Sequence, residues 1–282
     1  VRPIRFVYDY AHLPENRLQY SAVLDALVDP VLKHLPEAVK ATEADPNAIN
    51  VRYWSNHPWD VFSYHGISDK GDREAKTIGH YPYIFHSGPA WQKRYIEQGI
   101  EPDRLFQVGY AKLDPLFDGT IKQRKHTVLW APTLRRDWPG GYDHLSGLID
   151  ELDVVKALHP RENPGTATLQ ALADADVVIA DAGSTLYEAW ALGKPVVFPD
   201  FAVSYAMLSS PQLRRIYDEQ IGWHAKRPES LPKMIQLAGQ NGITVAERAF
   251  IDDVFPPELR GTSGQAHADA LRSIASRPLR RP

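Results

Sequence analysis

The chain has 282 residues, of which 43% are hydrophobic and 24% charged, with a formal net charge of -3. That balance belongs to a globular protein long enough for two ordinary lobes, and it excludes a disordered or fibrous chain. Cysteine is absent, which excludes disulfides and thiolate metal sites and makes the cytoplasm the expected compartment; no basic domain is present to hold a nucleic-acid backbone, and no apolar run approaches the ~20 residues of a membrane span.

Ile4 to Tyr8 reads as a strand rather than as part of an export signal, and Leu18, Val23, Leu24, Leu27 and Val28 then recur at helical spacing until Pro30 stops the pattern. Val51 to Trp54 and Val61 to Tyr64 are predicted strands, the second ending at a His65-Gly66 corner. Trp91 to Gln98 is a predicted helix closed by Gly99, Leu105 to Val108 a strand closed by Gly109, and the first lobe is expected to stop near Gly119. From Thr127 the alternation is plain: strand Thr127 to Ala131, helix from about Asp143, strand Val154 to Leu158, helix Thr168 to Ala173, strand Val177 to Ala180, helix Thr185 to Leu192 ended by Gly193, strand Val196 to Phe198. Continuous Val/Ile runs between helices predict an α/β protein with parallel sheets covered on both faces, binding ligands just past the strand C-termini.

Three candidates sit at such ends. Asp181-Ala-Gly-Ser-Thr runs from a strand into a helix, so Gly183 permits close approach and Ser184 and Thr185 add donors where a helix dipole attracts a phosphate; Glu188, one turn on, could accept from ribose hydroxyls. The same residues also suit an ordinary cap followed by a solvated glutamate. His159, after Leu158, could donate to a phosphate or protonate a leaving group, or be a structural histidine. Thr133 and Arg135 follow the neighbouring strand, where a guanidinium could clamp a phosphate. In the first lobe His65 is a candidate base facing the second lobe, and Lys70 a phosphate contact. Tyr83 or Trp138 could flank a base. His57, His80, His86, His126 and His144 form no metal-ligand spacing and are read as structural, so no metal is expected.

Taken together, these segments resemble the CDP-glycerol glycerophosphotransferase family, which primes or polymerises teichoic acids and related capsule polymers, from about Tyr64 to Ile274. His65-Gly-Ile-Ser-Asp-Lys70 is similar to its His-Gly-Thr-Pro-Leu-Lys, Trp130-Ala-Pro-Thr-Leu-Arg135 to its Tyr-Ala-Pro-Thr-x-Arg, and Leu158-His-Pro to its Leu-His-Pro. Tyr83-Ile-Phe-His-Ser-Gly-Pro, the helix after it and Val108-Gly-Tyr-Ala-Lys-Leu-Asp resemble the segment closing its first lobe, with Gly109 and Asp114 matching. Asp181-Ala-Gly-Ser-Thr parallels its Asp-Tyr-Ser-Ser helix start, and Phe250-Ile-Asp with Gly261-Thr-Ser-Gly its C-terminal segment. The chain departs from the family at Ile67-Ser68, Ala182-Gly183 and Lys112.

The resemblance implies a GT-B fold of two Rossmann-like lobes with a cleft between them. Residues 1–119 are then a short acceptor-side lobe and 120–282 the donor lobe, the last helix crossing back. It further implies a CDP-glycerol-type donor with no cofactor and an acceptor that is a polyol phosphate, glycan or lipid-linked molecule. His65 becomes the base, and His159 with Ser184 and Thr185 holds the donor phosphates. The implied setting is the inner face of the cell membrane, with peripheral contact. The run Gly183-Ser-Thr-x-x-Glu-Ala-x-x-Leu-Gly-Lys-Pro is similar also to UDP-N-acetylglucosamine 2-epimerases and sugar-transferring GT-B enzymes. Two rivals therefore stand beside glycerol-phosphate transfer: chemistry on a UDP-sugar, and a decayed nucleotide-binding module.

Overall fold

The computed structural model describes residues 1–8, 17–53, 60–67, 75–133, 141–158, 168–204, 208 and 210–278. The chain divides into two units, one drawn from Val1–Ile67, Asp72–Asp118 and Asp252–Pro282, the other from Gly119–Ile251.

The first unit is built on a parallel sheet of β1 (Ile4–Val7), β2 (Val39–Ala41), β3 (Ile49–Arg52), β4 (Val61–Phe62), β5 (Tyr83–His86) and β6 (Leu105–Gln107), in the order β2-β1-β3-β4-β5-β6. Every residue of β3 and of β5 is buried, as expected of strands covered on both faces. Helices α1 (Arg17–Leu32), α2 (Ala75–Ile78), α3 (Pro89–Glu97) and α4 (Asp114–Phe117) punctuate the sheet. Helix α1 runs past Pro30, where the sequence predicts a stop. Proline in a last turn forfeits one backbone bond, and the burial of Val31 and Leu35 outweighs that loss.

The second unit carries β7 (Thr127–Ala131), β8 (Val154–Lys156), β9 (Ala175–Ala180), β10 (Val196–Pro199) and β11 (Trp223–Ala225), all parallel, ordered β11-β10-β9-β7-β8. Between them lie α5 (Gly141–Asp150), α6 (Thr168–Asp174), α7 (Ser184–Ala191) and α8 (Pro211–Asp218), followed by α9 (Leu231–Asn241) and α10 (Val245–Val254). The core joins Trp130, Val177, Ile179 and Val197 from the strands to Leu145, Ile149, Leu231 and Ala238 from the helices. Glu247, buried outright, knits this unit: it accepts from the indole N–H of Trp190 (2.6 Å) and the amide of Thr244 (2.6 Å). The Thr244 hydroxyl accepts the Glu247 N–H in return (3.1 Å), completing a reciprocal cap on α10.

Beyond residue 252 the chain belongs to the first unit again, where α11 (Ser263–Ala275) closes it. Asp114 accepts the N–H groups of Gly264 (2.6 Å) and Ser263 (3.3 Å), and the Ser263 hydroxyl oxygen accepts the N–H of Tyr110 (2.9 Å). Gly109 sits at φ +75 beneath this clasp, and a Cβ there would lie 2.2 Å from the Ser263 oxygen. The Gly109, Asp114 and Gly261-Thr-Ser-Gly segments, two separate signals in the sequence, thus form one joint.

Candidate functional site

In the second unit the chain passes from β7 to β8 on one side of the sheet and then to β9 on the other, so the strand order switches between β7 and β9. That crevice is where open α/β sheets bind ligands. Thr133 lies just beyond β7 and Asp181 just beyond β9, and both are buried. The Asp181 carboxylate folds back on its own turn, accepting the Thr133 N–H (2.8 Å), the Thr133 hydroxyl (2.7 Å), the Gly183 N–H (3.2 Å) and the N–H of Ala182. On the far side the Tyr217 hydroxyl donates to the Asp181 carbonyl at 3.0 Å. Burial, with Asp181 and Asp200 nearby, drives the Tyr217 phenol well above its usual range and keeps it a donor.

Helix α7 opens directly after this turn, capped by Gly183 with no side-chain hydrogen bond. Ser184 and Thr185 are half-buried in its first turn. Gly183 has an ordinary φ of -81, and a Cβ there would lie 3.4 Å from the Thr133 hydroxyl oxygen, a tolerable approach. Glu188 is buried outright rather than solvated. Asp181, which sequence reasoning used only as a motif boundary, proves to be the organiser; the signal was a carboxylate immediately after the buried apolar run Val177–Ala180. Asp200, just past β10, and His224, in the middle of β11, were also missed: His224 Nδ1 lies 2.7 Å from Asp200 Oδ1, and Lys226 donates to Oδ2 at 2.6 Å. Burial opposes the Asp200 charge, but these two partners outweigh it and hold the carboxyl below the usual range.

In the first unit His65 is exposed at the bend after β4. Its Nδ1 lies 3.1 Å from the Tyr53 carbonyl, which can only accept, so in the neutral ring the lone pair falls on Nε2. The Tyr110 hydroxyl donates to the His65 carbonyl at 3.4 Å and fixes the same bend. Tyr83 is buried at the start of β5, edge-on to Phe106, and so stands away from the strand ends where a base would be flanked. His86, at the C-terminal end of β5, is 2% exposed and lines a pocket with Ser63, Tyr110 and His267. Lys70, Arg135, Trp138 and His159 lie outside the described residues. Among the described residues no group of three or more His, Asp or Glu side chains gathers to hold a metal ion, and no helix is long and apolar enough to cross a membrane.

The fold is similar to that of the wall teichoic acid polymerase TagF soaked with CDPG, with a TM-score of 0.64 at 14% identity over 97% of this chain and 88% of that one. It is similar also to a UDP-N-acetylglucosamine 2-epimerase, TM-score 0.51 at 10% identity, covering 100% of this chain and 98% of that one. A third similarity is to S. aureus MnaA in its UDP co-structure, TM-score 0.52 at 11% identity, covering 100% and 99%. No protein-family model and no curated protein matches the sequence. At these identities the likeness is one of fold: an α/β, GT-B-like architecture with two sheets of parallel strands.

Proposed function

We propose that this chain is an enzyme that binds a nucleotide-activated donor on its second unit and transfers the alcohol-phosphate part of a CDP-glycerol-type donor to an acceptor hydroxyl. The observation that carries the reading is the start of α7, braced by Asp181 at the switch point of the second sheet. Helix N-termini leave amide hydrogens pointing along the axis, which suits a pyrophosphate. Because Asp181 engages the amides of Ala182 and Gly183, the reading assigns the donor phosphates to Ser184 and Thr185. Thr133 acts by holding Asp181, and Glu188 is assigned to the ribose. Arg135, His159 and Lys70 are assigned to phosphate charge on the strength of the motif resemblance alone.

In the proposed reaction Nε2 of His65 removes the acceptor's hydroxyl proton. The freed oxygen attacks the distal phosphorus in line, the bond from that phosphorus to the CMP oxygen breaks, and CMP leaves with the electron pair. Donors fixed around the phosphates stabilise the charge as it builds, and no covalent enzyme intermediate forms. The likeness to TagF, whose structure was soaked with CDPG, supports this choice of donor. The acceptor is assigned to the polyol-phosphate, glycan or lipid-linked class, reached from the cytoplasmic membrane face.

A second reading, chemistry on a UDP-sugar in which a carbon–oxygen bond breaks, is favoured by the near-complete two-way coverage against the epimerase and MnaA folds. Thermal-shift titration with CDP-glycerol, CDP-ribitol, CMP and UDP-N-acetylglucosamine separates the two, since a ligand of the native state raises its midpoint. Stabilisation by the cytidine compounds with release of CMP supports transfer. Stabilisation by the uridine compound alone overturns it, and binding of CDP-glycerol without turnover leaves the decayed module.

A further inference from the structure

The Asp181 turn is held at two points. Its carboxylate takes the amides of Thr133 and Gly183, and its backbone carbonyl accepts the hydroxyl of Tyr217 at 3.0 Å, from the last turn of α8. The Asp181 C=O shares one rigid peptide plane with the Ala182 N–H, so fixing the oxygen fixes how the chain enters Gly183 and the first turn of α7. That entry therefore depends on where the Tyr217 oxygen stands.

A set of rings and charges, all within the second unit, fixes its place. Phe198 of β10 packs edge-on against the Tyr217 ring (centroids 5.4 Å apart, 67° between planes), and His224 of β11 does the same (5.6 Å, 81°). His224 in turn lies stacked on Phe198 (4.8 Å, 22°). Edge-on and stacked pairs prefer definite angles, so this trio sets the orientation of the phenol as well as its depth. The His224 ring cannot turn over without putting carbon against two acceptors, because Nδ1 faces Asp200 Oδ1 at 2.7 Å and Nε2 faces the Ile221 carbonyl at 3.1 Å. Asp200 is anchored by Lys226, and the Ile221 N–H bonds back to the Ile216 carbonyl of α8 at 2.9 Å, so the same ring ties the end of α8 to β11. A phenylalanine at 217 would satisfy the ring packing. What the tyrosine adds is the one donor on the Asp181 carbonyl.

We propose that Tyr217 is a positioning residue: its hydroxyl, placed by the Asp200–His224 pair, holds the Asp181 carbonyl and so aims the amides of Ser184 and Thr185 at a bound diphosphate. The proposal deepens the donor reading, and it rests on that reading only in naming a diphosphate as what those amides meet.

The test compares two variants of the full chain that each lose one hydroxyl bond to a backbone carbonyl of the second unit. Tyr217→Phe frees the Asp181 carbonyl, whereas Thr127→Val frees the Asp174 carbonyl (3.2 Å) beside the opposite end of β9. Inorganic pyrophosphate, the part common to cytidine and uridine donors, is titrated while ¹H–¹⁵N spectra follow the amides of Ser184 and Thr185. Both amides are expected to move saturably in the wild type and in Thr127→Val with the same Kd. In Tyr217→Phe they are expected to start from different positions, with the Kd raised about 3- to 10-fold. His224→Phe keeps the stack but loses both anchors; it is expected to raise the Kd about 2- to 5-fold by the same route, and it decides the matter if Tyr217→Phe fails to fold. An unchanged Kd in the folded variant overturns the proposal, as does an equal loss in Thr127→Val or a wild type whose two amides ignore pyrophosphate. CMP release from CDP-glycerol is followed on the same proteins. Release with a Kd indifferent to Tyr217 removes the brace and leaves the transfer; a Tyr217-dependent Kd without release keeps the brace and removes the transfer.

Discussion

The two units solve the same architectural problem and prepare opposite chemistry. Each places its polar residues at the C-terminal edge of a parallel sheet, yet the first buries neutral rings there and the second buries a carboxylate. His86 and His267 are both pushed down to about 4, so the first edge holds neutral rings. At the second edge Asp181 gathers N–H and O–H donors onto itself and hands the chain straight into a helix start. The difference shows how one fold can present opposite polarities at two equivalent sheet edges.

Acid should break the comparison first. Both histidines of the first unit titrate well below the ordinary 6.5, so the unfolded chain takes up protons before the folded one does, and stability is lost as pH falls from about 6.5 towards 4. The loss is on the order of 3 kcal/mol for each ring, partly offset because burial raises Asp114 of the same unit to about 6, so that it takes up its proton in the folded state first. Hydrogen exchange is expected to show protection failing in β4, β5 and β6 before β7 and β9, and His267→Phe to flatten the slope. Next in size is Asp181→Ala, which strips partners from three amides and a hydroxyl and should cost about 3 kcal/mol or more, read as a fall in the urea midpoint of the second unit. The two glycines then make a matched pair. Gly109→Ala forces a side chain to φ +75 against Ser263 and should cost about 1–3 kcal/mol. Gly183→Ala should leave stability within about 0.5 kcal/mol and instead weaken CDP-glycerol binding about tenfold, because the added methyl stands at the mouth of α7. Equal stability losses in the two variants would erase the distinction between a structural and a ligand-facing glycine.

The strands of the second unit were legible because their Val/Ile runs are continuous: β7 lies at Thr127–Ala131 as expected, and β9 and β10 differ from expectation only at their ends. Edge strands were not. Val39–Ala41 and Trp223–Ala225 are three residues each, and the first is largely exposed, so neither carries a period that sequence can register. At the candidate site the helix start was legible from its small residues, whereas the role of Asp181 was not, since it depends on Thr133, 48 residues away. His86 was read as structural for the same reason. Nothing local to a histidine in a strand reveals that one of its nitrogens will find no partner among the described residues once β5 is packed.

The clasp between Asp114 and the start of α11 joins positions 150 residues apart, and the whole of the second unit is strung between them. On a ribosome the first unit is therefore begun first and finished last. Its sheet must wait, lacking α11, while the contiguous stretch from Gly119 to Ile251 can complete its own core ahead of it. The portion made earliest is thus the one longest in need of shelter.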